Sequence, residues 1–307
     1  MDQVKRAVFT TGAVCLLLVG MPAYAGDDPE WNVEAGFLTG YHDNYFYRDS
    51  DESTPDETFL TVYGEGEATF DVGPGDLTVL GGGSGAFGLD LSDTNYQYLH
   101  AGTEYKQGKT KVELEYARTF DKVFGEEDDA SLYDVDAGEV SIRRQFGDSI
   151  RAKASFDIQH WNFGSPDNDR DAMKYDVEGL LRWEIWKWLA VRSSFRWTFK
   201  DADAGRYDYD GPGVMLAAEL KPADPVNVFI RYRRRWRSYD GADSGDSNFN
   251  RDDTIDDVLA NARWKVFGPF GLQLSGTYRH GDSDRSDRNY DAFSVTGGFF
   301  LTIGSDS

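Results

Sequence analysis

From residue 31 onward the chain reads as a succession of period-two segments whose connections alternate without exception between very short and long. The spacing predicts strands over 31–46, 58–71, 77–88, 96–106, 110–120, 133–146, 149–160, 174–185, 189–199, 211–221, 226–237, 254–267, 270–279 and 290–304. Val112, Leu114 and Tyr116 alternate with Lys111, Glu113 and Glu115, and Phe293, Val295, Phe299, Leu301 and Ile303 oppose Ser294, Thr296 and Thr302. Such alternation gives a strand one apolar and one polar face. Every second link is tight: Gly73-Pro74-Gly75, Gln107-Gly108-Lys109, Gly147-Asp148, Trp186-Lys187-Trp188, Pro222-Ala223-Asp224-Pro225 and Gly268-Pro269. These are hairpin turns in composition. The other links, 47–57, 89–95, 121–132, 161–173, 200–210, 238–253 and 280–289, hold half of the 54 acidic residues.

Short links at one end and long, polar links at the other are the asymmetry of an outer-membrane barrel, with periplasmic turns and extracellular loops. Several segments reach the ~9–11 residues that a tilted strand needs to cross a bilayer. The expected fold is therefore all-β: a transmembrane antiparallel up-and-down barrel of about 14 strands, within a range of 12–16, with short periplasmic turns and long acidic extracellular loops. An even strand count puts both termini on the periplasmic side. After Ala25 no apolar run approaches the ~20 residues of a membrane helix.

Residues 1–25 carry the marks of a cleaved secretory signal peptide, and residues 26–307 form the barrel domain. Lys5 and Arg6 supply the basic start, Ala13 to Val19 an apolar stretch too short to span, and Ala23-Tyr24-Ala25 the small-x-small cleavage site. Cleavage makes the formal net charge of −22 one unit more negative and removes Cys15, the single cysteine. The mature chain then has no disulfide or thiolate chemistry.

Aromatic residues gather at segment ends. Trp183, Trp186, Trp188, Phe267 and Phe270 are expected at the periplasmic interface, and Phe120, Trp161, Trp197, Phe199, Trp236 and Tyr290 towards the outer one. A water-soluble sandwich would need apolar residues on its inward faces, whereas here many inward faces would be charged.

The first segment, Gly40-Tyr41-His42-Asp43-Asn44-Tyr45-Phe46-Tyr47-Arg48, resembles the opening glycine-tyrosine, Asp-x-Asn-aromatic strand of outer-membrane β-barrel porin families, including barrels associated with exopolysaccharide export. The last, with Thr296, Gly298, Leu301 and Ile303, is similar to the C-terminal strand read by the barrel-assembly machinery, departing from it in the ending Gly304-Ser305-Asp306-Ser307. The resemblance implies an outer-membrane barrel in a Gram-negative envelope and no particular substrate.

Catalytic signatures are missing: there is no Gly-x-Ser-x-Gly elbow, no His-Glu-x-x-His and no phosphate-cradling loop before a helix. The reading is of a protein that is not an enzyme and implies no cofactor. Gly81-Gly82-Gly83 falls within a strand, where it suits bending or the close approach of neighbouring groups. His42, His100, His160 and His280 are read as interfacial or loop polar residues. Runs such as Glu126-Glu127-Asp128-Asp129 and Asp167-Asn168-Asp169-Arg170-Asp171 have the oxygen ligands that Ca²⁺ or Mg²⁺ prefer but not EF-hand spacing, which favours solvated loops over a metal site. The same negative charge disfavours nucleic acid.

The lumen-facing charges are polarised. A basic track is expected from Arg192, Arg196 and Lys200, from the every-second-residue ladder Arg231, Arg233, Arg235 and Arg237, and from Arg263 and Arg279. An acidic wall is expected from Glu34, Glu65, Glu67, Glu104, Glu113 and Glu115. Two readings compete: a transverse field in a water-filled pore that offers planar guanidinium donors to anions, or charges paired across strands that rigidify a closed barrel. Glu219 alone stands on 211–221 beside the ladder, which favours the pore there. The expected function is passive diffusion of small hydrophilic or anionic solutes, saccharides among them. The alternative is a non-conducting partner in polysaccharide or surface-protein export. Expected partners are outer-membrane lipids and lipopolysaccharide, the barrel-assembly machinery and a small solute or oligosaccharide; monomer and trimer stay open.

Overall fold

The computed structural model describes residues 29–43, 56–89, 95–124, 131–164, 170–239, 249–285 and 288–305. They form fourteen antiparallel strands: β1 (Glu30–His42), β2 (Glu57–Val72), β3 (Gly75–Gly88), β4 (Tyr96–Gln107), β5 (Thr110–Phe124), β6 (Ser131–Phe146), β7 (Ile150–Phe163), β8 (Ala172–Trp186), β9 (Leu189–Ala202), β10 (Tyr209–Ala223), β11 (Val226–Tyr239), β12 (Arg251–Phe267), β13 (Phe270–Ser283) and β14 (Tyr290–Gly304). Each pairs with its sequence neighbours, and β14 pairs with β1 from Asn32↔Gly304 to His42↔Ser294, so the barrel is closed and no edge remains. Closure satisfies the strand N–H and C=O groups internally, which a hydrocarbon environment demands.

Four of the six short turns reverse on a glycine in the left-handed region: Gly73, Gly108, Gly147 and Gly268, with φ of 60°, 58°, 60° and 50°. Tight two-residue hairpins require that conformation.

The period-two pattern sorts side chains as the closed sheet requires. Large apolar residues stand exposed on the outer face, among them Leu114, Leu181, Leu216, Leu274 and Phe299. In barrels that span a membrane, an exposed apolar belt of this kind is the face turned to lipid. At its short-turn edge Trp183, Trp186, Trp188, Phe267 and Phe270 are all exposed, with Trp186 stacked on Trp188 at 5.2 Å. At the other edge Phe199 and Trp236 are exposed, and the Arg118 guanidinium lies 4.8 Å above the Phe120 ring. Outward ion pairs, Arg234–Asp256 at 2.7 Å and Arg118–Asp134 at 3.4 Å, sit at that edge.

Trp161 and Tyr290, expected among the outer aromatics, face inward instead. Trp161 shares parity with Gln159 and packs beside Tyr133, Val135 and Phe163, while Tyr290 is 8 % exposed and lies against Gly281. Strand parity decides facing, and both residues occupy lumen positions. His100 is likewise no loop residue: it stands within β4, stacked on Tyr98, with its ring against Gly82.

The strands also continue beyond the expected boundaries. β12 begins at Arg251, and its Asp253, assigned to a solvated link by sequence, is 7 % exposed and paired with Arg251 at 2.6 Å. The runs 126–129 and 167–169 lie outside the described residues; among the described residues no group of three or more acidic, histidine or cysteine side chains is placed to hold a metal ion.

The two ends of the barrel can be told apart chemically. A cysteine introduced at Asp203, at the long-loop end, is expected to react with a membrane-impermeant thiol reagent on intact cells, and one at Asp224 or Gly108, at the short-turn end, only after lysis. The opposite pattern would invert the barrel in its membrane.

Candidate pore lumen

β11 carries the densest positive charge. Ile230, Tyr232 and Trp236 face outward and are exposed, whereas Arg231, Arg233, Arg235 and Arg237 line an interior cavity of about 930 Å³ together with Arg196, Lys200 and Arg279. Arg192 and Arg263 lie on the same inward faces of β9 and β12 by strand parity.

Register explains how so much positive charge is held. Asp257 of β12 lies directly opposite Arg233 on one side and Arg279 on the other. Its carboxylate accepts from Arg233 Nη2 at 2.9 Å, from Arg235 Nη2 at 2.9 Å and from Arg279 Nε at 2.6 Å. Asp257 is 1 % exposed. One carboxylate thus serves three guanidiniums at once and fixes the ladder against β12. Arg231, one step further along the strand, makes no hydrogen bond or ion pair among the described residues. The sequence reading missed Asp257, although its parity matches that of Arg263 on the same strand.

The neighbouring basic strand is more evenly matched. Arg196 pairs with Glu178 and stands 3.6 Å from Asp176; Glu219 is shared by Arg192 and by Arg182 at 2.8 Å. Lys200 sits between the rings of Trp161 and Tyr209, 4.9 and 5.6 Å from their centroids, and Arg237 lies 4.8 Å over Tyr209. These contacts hold the cations over ring quadrupoles. Tyr207, from a single 3-10 turn at Gly205–Tyr207 in the link between β9 and β10, reaches the same cavity.

Of the acids on β1, β2, β4 and β5, most are bonded. Glu104 pairs with Lys111, Glu113 accepts from Ser141 at 3.3 Å, and Glu115 meets His100 Nδ1 at 3.3 Å. Glu34 is bridged to Arg263 at 2.5 Å and also accepts from Tyr63 and Thr302, each at 3.1 Å. Glu65 and Glu67 are exposed to the lumen and have no hydrogen-bond or ion-pair partner among the described residues. Pairing across strands therefore accounts for much of the interior charge, and Arg231, Glu65 and Glu67 are among the groups it leaves over.

No protein-family model matches the sequence, and the comparison with curated proteins finds no match. Solved structures do match over nearly the whole length. The chain is similar to the outer-membrane-expressed OmpT of Vibrio cholerae, with 12 % identity and a TM-score of 0.53 over 92 % of this chain and 99 % of that one. It is similar to the same protein lacking loop L8, with 13 % identity and a TM-score of 0.51 over 90 % of this chain and 100 % of the other. It is also similar to the outer membrane channel DcaP of Acinetobacter baumannii, with 11 % identity and a TM-score of 0.51 over 92 % and 100 %. At such identities the likeness is one of architecture: a closed antiparallel barrel with the fold of outer-membrane porins.

Proposed function

We propose that this barrel is a passive channel of a Gram-negative outer membrane for small hydrophilic solutes, with a preference for anions, acidic saccharides among them. Lipids of that membrane, lipopolysaccharide included, cover the apolar belt, and the barrel-assembly machinery inserts the chain. The observation that carries the reading is the arginine track of β11: three guanidiniums gathered on Asp257, and Arg231 facing the same cavity with no bonded partner. A fixed, partly dehydrated guanidinium that faces water is a ready donor to a passing carboxylate, phosphate or sulfate. Glu65 and Glu67 on the opposite wall complete a field across the lumen.

Selectivity follows charges near the narrow part of a pore, because loop charges farther off than a Debye length of ~8 Å are screened at physiological salt. The refolded protein in planar bilayers is expected to favour anions despite its net charge of −22. Arg231→Glu should move the reversal potential towards cation selectivity, more strongly in dilute salt, without breaking any bond that holds the ladder. An unchanged reversal potential in a folded, conducting variant would overturn anion selection at this track. A wild-type barrel with no conductance would favour the export-partner reading.

A further inference from the structure

Around the seam where the chain closes on itself, on β13, β14, β1, β2, β3 and β4, five inward glycines stand directly opposite an inward ring. Gly271 faces Phe300 and Gly281 faces Tyr290, Gly36 faces Tyr63 and Gly40 faces Phe59, and Gly82 faces His100. In each pair the ring occupies the space in which the glycine would carry a side chain. A Cβ at Gly36, Gly40 or Gly82 would lie 2.7 Å from the partner ring, and at Gly271 and Gly281 the three nearest atoms all belong to that ring. An inward aromatic must either project into the lumen or lie down across the strand beside it, and it can lie down only where the opposing residue has no Cβ.

The pair at Gly271 has the furthest consequence. Phe300 is 3 % exposed, flat between the Gly271 backbone and the Arg263 guanidinium, which stands 4.2 Å over the ring centroid. Arg263 then reaches from β12 past β13 and β14 to Glu34 on β1 at 2.5 Å. Glu34 also holds Tyr63, the ring that lies over Gly36. The bridge crosses the closing seam on the lumen side, and its height above the wall is the thickness of one ring laid on bare backbone.

We propose that Gly271 is a size-determining position of the pore: by letting Phe300 lie flat it holds the ring, and the Arg263–Glu34 bridge above it, against the wall and leaves the short-turn half of the lumen open to solute. This rests on the channel reading. Nothing but the Phe300 ring stands among the nearest atoms, so a side chain at Gly271 displaces the ring towards the lumen and not the sheet.

The test pairs conductance with a direct report on the ring. Gly271→Val, and Gly271→Ala as the milder change, should lower single-channel conductance by about twofold or more for the valine variant. Adding Phe300→Ala to either should restore it. A single 4-fluorophenylalanine at Phe300 should show a ¹⁹F signal shielded from solvent on the wild-type background and responsive to H₂O–D₂O exchange once Gly271 is replaced. Folding of each variant is checked by heat-modifiable mobility in SDS gels. Folded variants with unchanged conductance, or with the fluorine still shielded, would overturn the role of Gly271. If the ring lifts but wild type does not conduct, the channel reading falls and the size role with it, while the flat packing of Phe300 on Gly271 stands.

Discussion

Replacing Asp257 by alanine is expected to destabilise the folded barrel by about 3–5 kcal/mol, the cost of removing one partner from a buried, hydrogen-bonded ion cluster. The carboxylate is 1 % exposed and is the acceptor for Arg233, Arg235 and Arg279. Without it the three guanidiniums lose the carboxylate they share and repel one another across adjacent strands. Unfolding free energy in urea, measured in lipid bilayers, gives the number. A second change that removes one of the repelling cations, Arg233→Ala on the Asp257→Ala background, should recover part of the loss, since residues in one ion network are not additive. As a reference, Asp134→Ala deletes a carboxylate from the outward Arg118 pair, which is 39 % and 32 % exposed, and should cost only about 0–1 kcal/mol. A loss at Asp257 no larger than at Asp134 would show that lumen water screens the cluster and that the ladder does not depend on it.

Arginine placed on the outer face should be almost as costly. Leu114 and Leu274, each the fifth residue of its strand, are each 59 % exposed. If lipid covers that face, Leu274→Arg and Leu114→Arg should each destabilise by about 2–4 kcal/mol near the midplane. Ser275→Arg, one residue along β13 and facing inward, should cost much less, because a guanidinium there stays hydrated. Equal tolerance of both positions would remove the belt from the bilayer, whatever the barrel's shape.

Those expectations rest on facings that were legible from alternation alone. The parity of Arg231, Arg233, Arg235 and Arg237 follows from one strand read in isolation, and all four line one cavity. The inward direction of Glu65 and Glu67 was equally plain. Trp161 and Tyr290 depart from their expected interface: an aromatic near a strand end suggests that depth, whereas the parity of both positions turns the rings into the lumen. Asp253 departs from its expected link because an acid-rich segment reads as loop where apolar residues end, while β12 continues as lumen-facing strand above the belt. The glycines told least. Gly82 within Gly81-Gly82-Gly83 hinted at close approach, but that it accepts the His100 ring depends on which β4 residue stands opposite.

What the sequence by itself determined is what a period of two can carry: the number of strands, the end at which each link lies, and the face each side chain takes. Those properties are local, since each depends only on neighbours along one strand. The tertiary structure alone decided the partners. That Asp257 gathers three arginines, that Glu34 reaches Arg263 across the closing seam, and that Phe300 lies flat on Gly271 all depend on register between strands. A shift of two residues in one of these pairings would leave every facing unchanged and replace the contacts that cross it.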